Sequence, residues 1–140
     1  MRRILLASAA AGLVAGTASA QDTANIGIIL GFTGPLESIT PGMAESAELA
    51  FKEASDSGNL PGGLTLNPIR ADSTCIDAAA AATAATNLVT GENVAAIVGA
   101  DCSGVTTAIA NNVAVPNGVV MISPSATSPA SSRQRRGMSG

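Results

Sequence analysis

Residues 25–30 of this 140-residue chain read Asn-Ile-Gly-Ile-Ile-Leu, and Gly31 follows them directly. A short run of branched apolar residues that ends at a glycine is typical of a strand buried on both faces. Pro68 lies in a second strand-like run and cannot donate a hydrogen bond to a neighbouring strand, so we expect that run at a sheet edge. The further strands are predicted over residues 64–70, 94–99 and 119–122.

The segments between these strands have helical signals. Thr40 is the predicted N-cap of the first helix, with Pro41 at the first helical position, and Asp77 is the predicted N-cap of the second. Ser103 or Gly104 opens a third helix. The residues predicted to face the core are Met43, Ala47, Ala50, Phe51 and Ala54 in the first helix and Val105, Ile109 and Val113 in the third. Strands that alternate with helices in this way predict an α/β fold, a doubly wound parallel sheet with helices on both faces.

Acidic residues lie along the first helix. Glu48 and Lys52 are one turn apart, and we predict that they pair on its surface. Glu45 and Glu53 lie on the same helix. We interpret these carboxylates as a solvated surface and not as acid–base groups.

The two ends of the chain differ from the middle. Arg2 and Arg3, an apolar run over residues 4–14 and the small residues up to Ala20 predict a secretory signal peptide over residues 1–20. The run is too short and too rich in alanine and glycine for a membrane span, so we expect none after cleavage. Residues 131–140 hold three of the seven basic residues and no apolar period, and we interpret them as a disordered or foreign end rather than an interaction tail. Residues 21–130 form the predicted domain.

Composition excludes several functions. The chain has no histidine, which removes Ser-His-Asp and Cys-His catalysis and histidine metal sites. It has neither tryptophan nor tyrosine to stack on bases and a net charge of −3, so we expect no nucleic-acid partner. The glycine-rich phosphate loops and the Gly-x-Ser-x-Gly nucleophile motif are also absent. We expect neither an enzyme nor a cofactor.

The two cysteines, Cys75 and Cys102, follow the second and third predicted strands and therefore lie at the same end of the sheet. In an exported protein such a pair favours a disulfide. A nucleophilic or metal-binding thiol is the alternative, but neither cysteine has a histidine partner, and two cysteines cannot complete a zinc site. We therefore predict the disulfide and no metal.

Ligands of an open parallel sheet bind beyond the carboxyl ends of its strands. Three loops rich in glycine and hydroxyl groups lie there: residues 31–38, 100–104 and 123–129. Ser103 at a helix start suits a carboxylate, although an ordinary N-cap role is the alternative. The hydroxyls and carbonyls around Ser125 and Thr127 suit an ammonium group, and a plain polar loop is the alternative there.

The order of these features resembles one family. The signal peptide, residues 26–35, a cysteine after the second strand, residues 98–103 and residues 121–127 resemble the leucine/isoleucine/valine-binding proteins, the type I periplasmic solute-binding proteins of ABC importers. The resemblance covers residues 25–130. It implies a periplasmic protein that clamps an amino acid between two α/β lobes and delivers it to an inner-membrane permease.

The resemblance also implies roles for single residues. Ser103 and Thr127 would hold the carboxylate and ammonium groups of an aliphatic amino acid, and Ser125 would offer its backbone carbonyl. Asp101 and Cys102 would border the pocket. The family's two cysteines form a disulfide, in agreement with the pairing predicted above.

The chain differs from the family at two points. Ile39 stands where well-known members have a pocket tyrosine, which puts side-chain specificity in question. The chain matches only part of the first lobe, so we expect a truncated or frameshifted gene product with weak binding or none. An extracytoplasmic sensory domain of the same fold and a doubly wound enzyme are the rival functions, and a membrane span or a catalytic motif would distinguish them.

Overall fold

The computed structural model of the chain describes residues 22–129. Three helices are α1 (Thr40–Asp56), α2 (Ala78–Thr86) and α3 (Ser103–Ile109), and the four strands are β1 (Thr23–Leu30), β2 (Thr65–Asp72), β3 (Ala96–Gly99) and β4 (Val120–Ile122). A 3-10 turn over Pro61–Gly63 precedes β2, and π-helical turns extend α2 over Asn87–Gly91 and α3 over Ala110–Ala114. The predicted signal peptide and the tail over residues 131–140 lie outside the described residues. Within residues 22–129, no helix combines the length and apolarity needed to cross a membrane.

The four strands form one parallel sheet in the order β2-β1-β3-β4. Pro68 of β2 aligns with Ile26 of β1. β2 is an edge strand of this sheet, as the proline predicts. The chain winds from β1 outward to β2 and then crosses back to β3 on the other side of β1. The doubly wound parallel class is confirmed, and the strand order reverses between β1 and β3.

One face of the sheet is covered by α2 and α3, and we call it the closed face. Asp77 caps α2 as predicted, because its carboxylate accepts the N–H groups of Ala79 and Ala80 at 2.9 Å each. The residues predicted to face inward from the third helix are all buried. The buried core of the closed face consists of Ile29, Ala81, Ala85, Leu88, Val94, Ile97, Ala100, Val105, Ile109 and Val113.

The opposite face is covered by α1 over β1 and β2. Ile28 and Leu30 pack there against Ala44. The partly buried residues around them are Phe32, Met43, Ala47 and Phe51. Ala50 is exposed, so its predicted inward position is wrong. The buried stripe of α1 runs through Thr40, Ala44, Ala47 and Phe51, and Ala50 points away from it.

Among residues 22–129, no helix covers the same face at β3 and β4, and we call this part the open face. Val98 aligns with Ile122 across the strand pair, and Val120 lies two residues before Ile122. Val120 and Ile122 are 60% and 66% exposed. Helices lie on both faces of the sheet as predicted, and α1 packs on β1 and β2.

Thr40 does not cap α1. Ile39 occupies the N-cap position without a side-chain cap, and Thr40 is the first helical residue. Its side chain is fully buried and donates a hydrogen bond to the carbonyl of Gly31 at 2.9 Å. The loop after β1 folds back beside the start of α1, which brings the Gly31 carbonyl within reach of the hydroxyl. Thr40 therefore links α1 to that loop.

The predicted pairing of Glu48 with Lys52 is wrong. Glu48 accepts two hydrogen bonds from the guanidinium of Arg70 in β2, at 2.6 and 2.8 Å, and Lys52 pairs with Asp56 instead. The planar guanidinium matches both carboxylate oxygens, which a lysine cannot do. The hydrogen bond from Arg70 lowers the pKa of Glu48 below its usual range. Arg70 also lies 5.7 Å from the ring centre of Phe32, so it links α1, β2 and the loop after β1.

Candidate functional site

The carboxyl ends of β1 and β3 lie at the point where the strand order reverses. Asp101 follows β3 there, and its side chain is buried with 4% exposed. Its Oδ1 atom accepts the N–H of Gly31 at 2.9 Å and the hydroxyl of Ser73 at 3.3 Å. One buried carboxylate therefore holds together the loops that follow β1, β2 and β3.

Cys75 and Cys102 form a disulfide, which confirms the predicted pairing. Their Cα atoms lie 5.3 Å apart, and 27 positions separate them in sequence. Cys75 precedes α2, and Cys102 occupies the N-cap position of α3. The disulfide therefore fixes the starts of the two helices that cover the closed face, immediately beside Asp101.

Ser103 is the first residue of α3, and its side chain does not cap the helix, because Cys102 holds the N-cap position without a side-chain hydrogen bond. The Ser103 hydroxyl oxygen instead accepts the N–H groups of Thr127 at 3.2 Å and Ser128 at 3.3 Å. The helix start after β3 is thus joined to the loop after β4. These two hydrogen bonds occupy both lone pairs of the oxygen. The Ser103 hydroxyl can therefore still donate a hydrogen bond through its O–H.

Ser125 and Ser123 hold the loop after β4 against β3. The Ser125 hydroxyl donates to the backbone carbonyl of Asp101 at 2.8 Å. Ser123 donates to the carbonyl of Ala100, and its oxygen accepts the N–H of Ala126 at 2.8 Å. Side chains of both serines thus serve the loop itself, which leaves the backbone carbonyls of the loop as the acceptors that could face a solute.

The structure brings together all five predicted ligand residues. Ser103 bonds to Thr127 and Ser125 bonds to Asp101 at the carboxyl ends of β3 and β4, and Cys102 lies between Asp101 and Ser103 in the chain. Ser125 and Thr127 are exposed and Ser103 is half-buried, whereas the Asp101 carboxylate is turned into the protein. Asp101 therefore positions the loops in this structure, and the groups accessible to a solute come from Ser103, Thr127 and the backbone of the loop at Ser125.

Sequence reasoning missed several positioning residues. Thr106 is buried, and its hydroxyl lies 3.0 Å from the carbonyl of Ala100 and 2.8 Å from that of Cys102. Ser73 and Ser123 act across the strand ends as described above. Helical spacing could have placed Thr106 one turn after Cys102, but the partners of Ser73 and Ser123 lie more than 20 residues away. No local pattern marks such contacts.

Asp72 holds the loop after β1 on its other side. Burial raises the pKa of Asp72, but hydrogen bonds from the Thr33 hydroxyl and from the backbone N–H groups of Thr74, Thr33 and Phe32 outweigh burial. These bonds hold the pKa of Asp72 below its usual range. Ile39 lies at the end of this loop, directly before α1, with 54% of its surface exposed. An apolar side chain thus stands free at the same edge of the sheet.

The carboxyl end of the sheet offers three kinds of group to a solute. A hydroxyl donor at Ser103 suits an anionic carboxylate, and loop carbonyls suit an ammonium group. Ile39 adds an exposed apolar surface. Together these groups match the parts of an apolar amino acid.

Comparison with protein families gives one match over most of the chain. A family model described as a periplasmic binding protein matches residues 23–138. No curated protein sequence matches the chain at a significant level.

Solved structures with the same fold are similar over a limited part of their length. The LivJ substrate-binding protein of a branched-chain amino acid transporter from Streptococcus pneumoniae, solved with isoleucine, is 36% identical, with a TM-score of 0.69 over 81% of this chain and 32% of that chain. The leucine-binding protein LivK from Thermotoga maritima is 28% identical, with a TM-score of 0.66 over 76% of this chain and 29% of that chain.

A third similar structure has a different ligand. The solute-binding protein of an ABC transporter from Rhodopseudomonas palustris BisB5, solved with 3,4-dihydroxybenzoic acid, is 22% identical, with a TM-score of 0.68 over 81% of this chain and 30% of that chain. At this identity the likeness shows the fold alone. The chain thus spans about 30% of the length of these three relatives.

Proposed function

The chain belongs to the periplasmic binding protein family, and we propose that it supplies one side of the solute site of an ABC importer's binding component. The observation that carries this proposal is the junction at Ser103. Its oxygen accepts the N–H groups of Thr127 and Ser128, so the O–H donor is what the residue offers to a solute. A carboxylate is the group that such a donor binds best.

The solute that fits the proposal is an aliphatic amino acid. The LivJ protein was solved with isoleucine, and its 36% identity makes it the most informative of the three relatives for this chain. The R. palustris protein was solved with a benzoic acid derivative, which also carries a carboxylate. We assign Ser103 to the carboxylate of the amino acid, and we assign recognition of the rest of the solute to the other residues of the site.

The ammonium group would distinguish an amino acid from a simple carboxylic acid. We assign it to the backbone carbonyl of Ser125 and the hydroxyl of Thr127. Both residues lie on the exposed loop after β4, which Ser123 fastens to the end of β3. Cys102 and the backbone of Asp101 would border the site from behind, and the exposed side chain of Ile39, which lies after β1 at the same end of the sheet, would meet the apolar part of the solute.

The location and the partner follow from the family. Proteins of this family act outside the cytoplasm, and in the proposal this chain hands its solute to an inner-membrane permease and carries out no chemical reaction. The described residues present donors from one edge of one sheet. We therefore expect weak solute binding, with a Kd on the order of millimolar.

Chemical-shift mapping tests where the solute binds. The full chain, labelled with ¹⁵N, is titrated with L-isoleucine, and the proposal predicts that the amides of Ser103, Thr127 and Ser128 shift most. The Ser103→Ala variant should lose most of this response. Ser46→Ala is the matched control, because Ser46 is exposed on α1 and bonds only within its own helix turn.

A parallel titration with benzoate tests the solute class. The proposal predicts that benzoate shifts the Ser103 region less than isoleucine does, since benzoate has no ammonium group. Shifts that cluster away from residues 101–103 and 123–128, or no shifts at all, would contradict the proposed site. A larger and tighter response to benzoate would contradict the amino-acid assignment alone.

A further inference from the structure

Cys75, Asp101 and Cys102 form a compact cluster, and thiolates and carboxylates are two of the ligand types that Zn²⁺ takes in proteins. Their two sulfur atoms and a carboxylate oxygen all lie within 4.8 Å of one another. Asp101 is buried, and both cysteines are half-buried. The sequence alone supplied two cysteines without a third ligand, whereas the fold brings a carboxylate beside them.

The two oxygens of the Asp101 carboxylate have different surroundings. Its Oδ1 atom accepts hydrogen bonds from Gly31 and Ser73, while Oδ2 faces the disulfide at 3.7 Å from the sulfur of Cys102. The bonds to Oδ1 fix the direction of Oδ2, as outer hydrogen bonds do around metal ligands. A buried carboxylate oxygen is thus aimed at the two sulfurs.

Gly31 keeps this space open. A Cβ atom at that position would lie 3.2 Å from the Cβ of Cys75 and 3.3 Å from Oδ2 of Asp101. Both distances are tighter than ordinary van der Waals contact, so a larger residue would push the carboxylate away from the sulfurs. The glycine is therefore part of the cluster's geometry.

We propose that the protein with this disulfide reduced binds a thiophilic divalent cation such as Zn²⁺ through the Cys75 and Cys102 thiolates and Oδ2 of Asp101. Zinc takes sulfur at about 2.3 Å and carboxylate oxygen at about 2.0–2.2 Å in tetrahedral geometry. Those bond lengths separate a sulfur and an oxygen ligand by roughly 3.6 Å and two sulfurs by roughly 3.8 Å. The oxygen already lies at that distance from Cys102, and the cleaved sulfurs separate by rotation about their Cα–Cβ bonds.

Reduction of the disulfide must come before the metal binds. A dithiol reductant gives two electrons and two protons, so that the S–S bond breaks, both cysteines become thiols and the reductant becomes a disulfide. The cation then displaces the two thiol protons to solvent and gains Oδ2 as a third ligand, with water in the fourth position. Disulfide and metal are mutually exclusive, because the same sulfur atoms form both.

Metal titration tests the proposal, with Co²⁺ alone as the spectroscopic probe. The full chain in a non-chelating phosphine reductant should bind one Co²⁺ with the intense thiolate charge-transfer and tetrahedral d–d absorption of a sulfur-ligated ion, and Zn²⁺ should displace it. The oxidised chain should show neither band. Equal binding by oxidised and reduced protein would contradict the proposal.

The Asp101→Asn variant isolates the third ligand. Asparagine keeps an oxygen acceptor for Gly31 and Ser73 but can place an NH₂ group at the Oδ2 position, and we expect Co²⁺ affinity to fall at least about tenfold. Asp77→Asn is the matched control, since it removes the same charge near Cys75 and asparagine still caps α2. Its affinity should be unchanged.

A chain that unfolds on reduction also gives a clear result. Two thiolates on an unfolded chain bind Co²⁺ without regard to Asp101, so Asp101→Asn would then bind as tightly as the parent protein. That outcome, or an equal loss in Asp77→Asn, would overturn the proposed site. Far-ultraviolet circular dichroism of each reduced protein shows which state was titrated.

Discussion

The two faces of the sheet are covered by helices in different ways. On the closed face, α2 and α3 share a continuous buried core, and the disulfide joins their starts. On the opposite side, α1 rests on a smaller core, and a polar anchor at Thr40 and an ion pair at Glu48 hold it. Beyond α1, Val120 and Ile122 are left exposed on the open face.

This difference shows which part of the molecule fixes the candidate site. Cys102 and Ser103 begin α3, so their positions depend on the closed face. The Asp101 side chain in turn accepts a hydrogen bond from Gly31 and so links α3 to the loop after β1. We infer that changes on the closed face disturb both stability and the site, whereas changes on the open face disturb neither.

Loss of the disulfide is the largest expected effect. Replacing both Cys75 and Cys102 by serine should lower the free energy of unfolding by about 3.5 kcal/mol, because a closed loop of this length restricts the unfolded chain by that amount in the entropic model. Urea denaturation measures the loss. A reductant should destabilise the parent protein similarly and leave the double variant unchanged. A loss under about 1 kcal/mol would mean that the core alone fixes the helix starts.

A matched pair of isoleucines compares the two faces directly. Ile97 in β3 is 1% exposed on the closed face, and Ile122 in β4 is 66% exposed. Ile97→Ala should cost about 3 kcal/mol through lost burial and the cavity left behind, whereas Ile122→Ala should change stability by less than about 0.5 kcal/mol. Similar costs in urea denaturation would show that the open face is covered in solution.

Thr40→Val tests the polar anchor of α1. Valine keeps the branched shape but removes the hydrogen bond to the Gly31 carbonyl, and we expect a loss of about 1.5 kcal/mol in thermal or urea unfolding. Thr83→Val is the control, because Thr83 is exposed on α2 and bonds only to Ala79 in its own helix. A Thr40 variant no less stable than the control would show that the anchor contributes nothing.

The Glu48–Arg70 pair should give the smallest effect and a defined pH dependence. Glu48→Gln should cost about 0.5 kcal/mol at neutral pH, as is usual for partly exposed ion pairs. The pKa of Glu48 is lowered in the folded state, so the pair's contribution is complete above the ordinary glutamate pKa and is lost as the pH falls through the folded value. The stability difference between parent and variant should therefore shrink in acid below about pH 4. A difference that grows in acid would contradict this sign.

Patterns local to one element predicted much of this fold. The four strands, the edge position of the strand with Pro68 and the cap at Asp77 follow from strand composition and turn chemistry. The inward residues of α3 follow from helical period. The Cys75–Cys102 pairing follows from two cysteines at the same end of a parallel sheet.

Contacts between distant elements account for the errors. Glu48 has a suitable partner four residues away, yet it bonds to Arg70 across the sheet because the guanidinium offers two donors. Thr40 has the composition of a cap, yet the Gly31 carbonyl captures its hydroxyl. Ser103 likewise has the composition of a cap, and loop N–H groups use its oxygen. In each case sequence identified the residue and only the fold supplied its partner.

We propose above that the Ser103 hydroxyl binds the carboxylate of an amino acid. The most direct measurement is a cycle of four dissociation constants: L-leucine and L-leucinamide, each with the parent chain and with Ser103→Ala. A hydrogen bond to a charged group predicts that the parent binds leucine roughly tenfold or more tightly than leucinamide, and that the variant shows little of this preference. An equal preference in both proteins would contradict the claim, because the carboxylate would then be bound elsewhere.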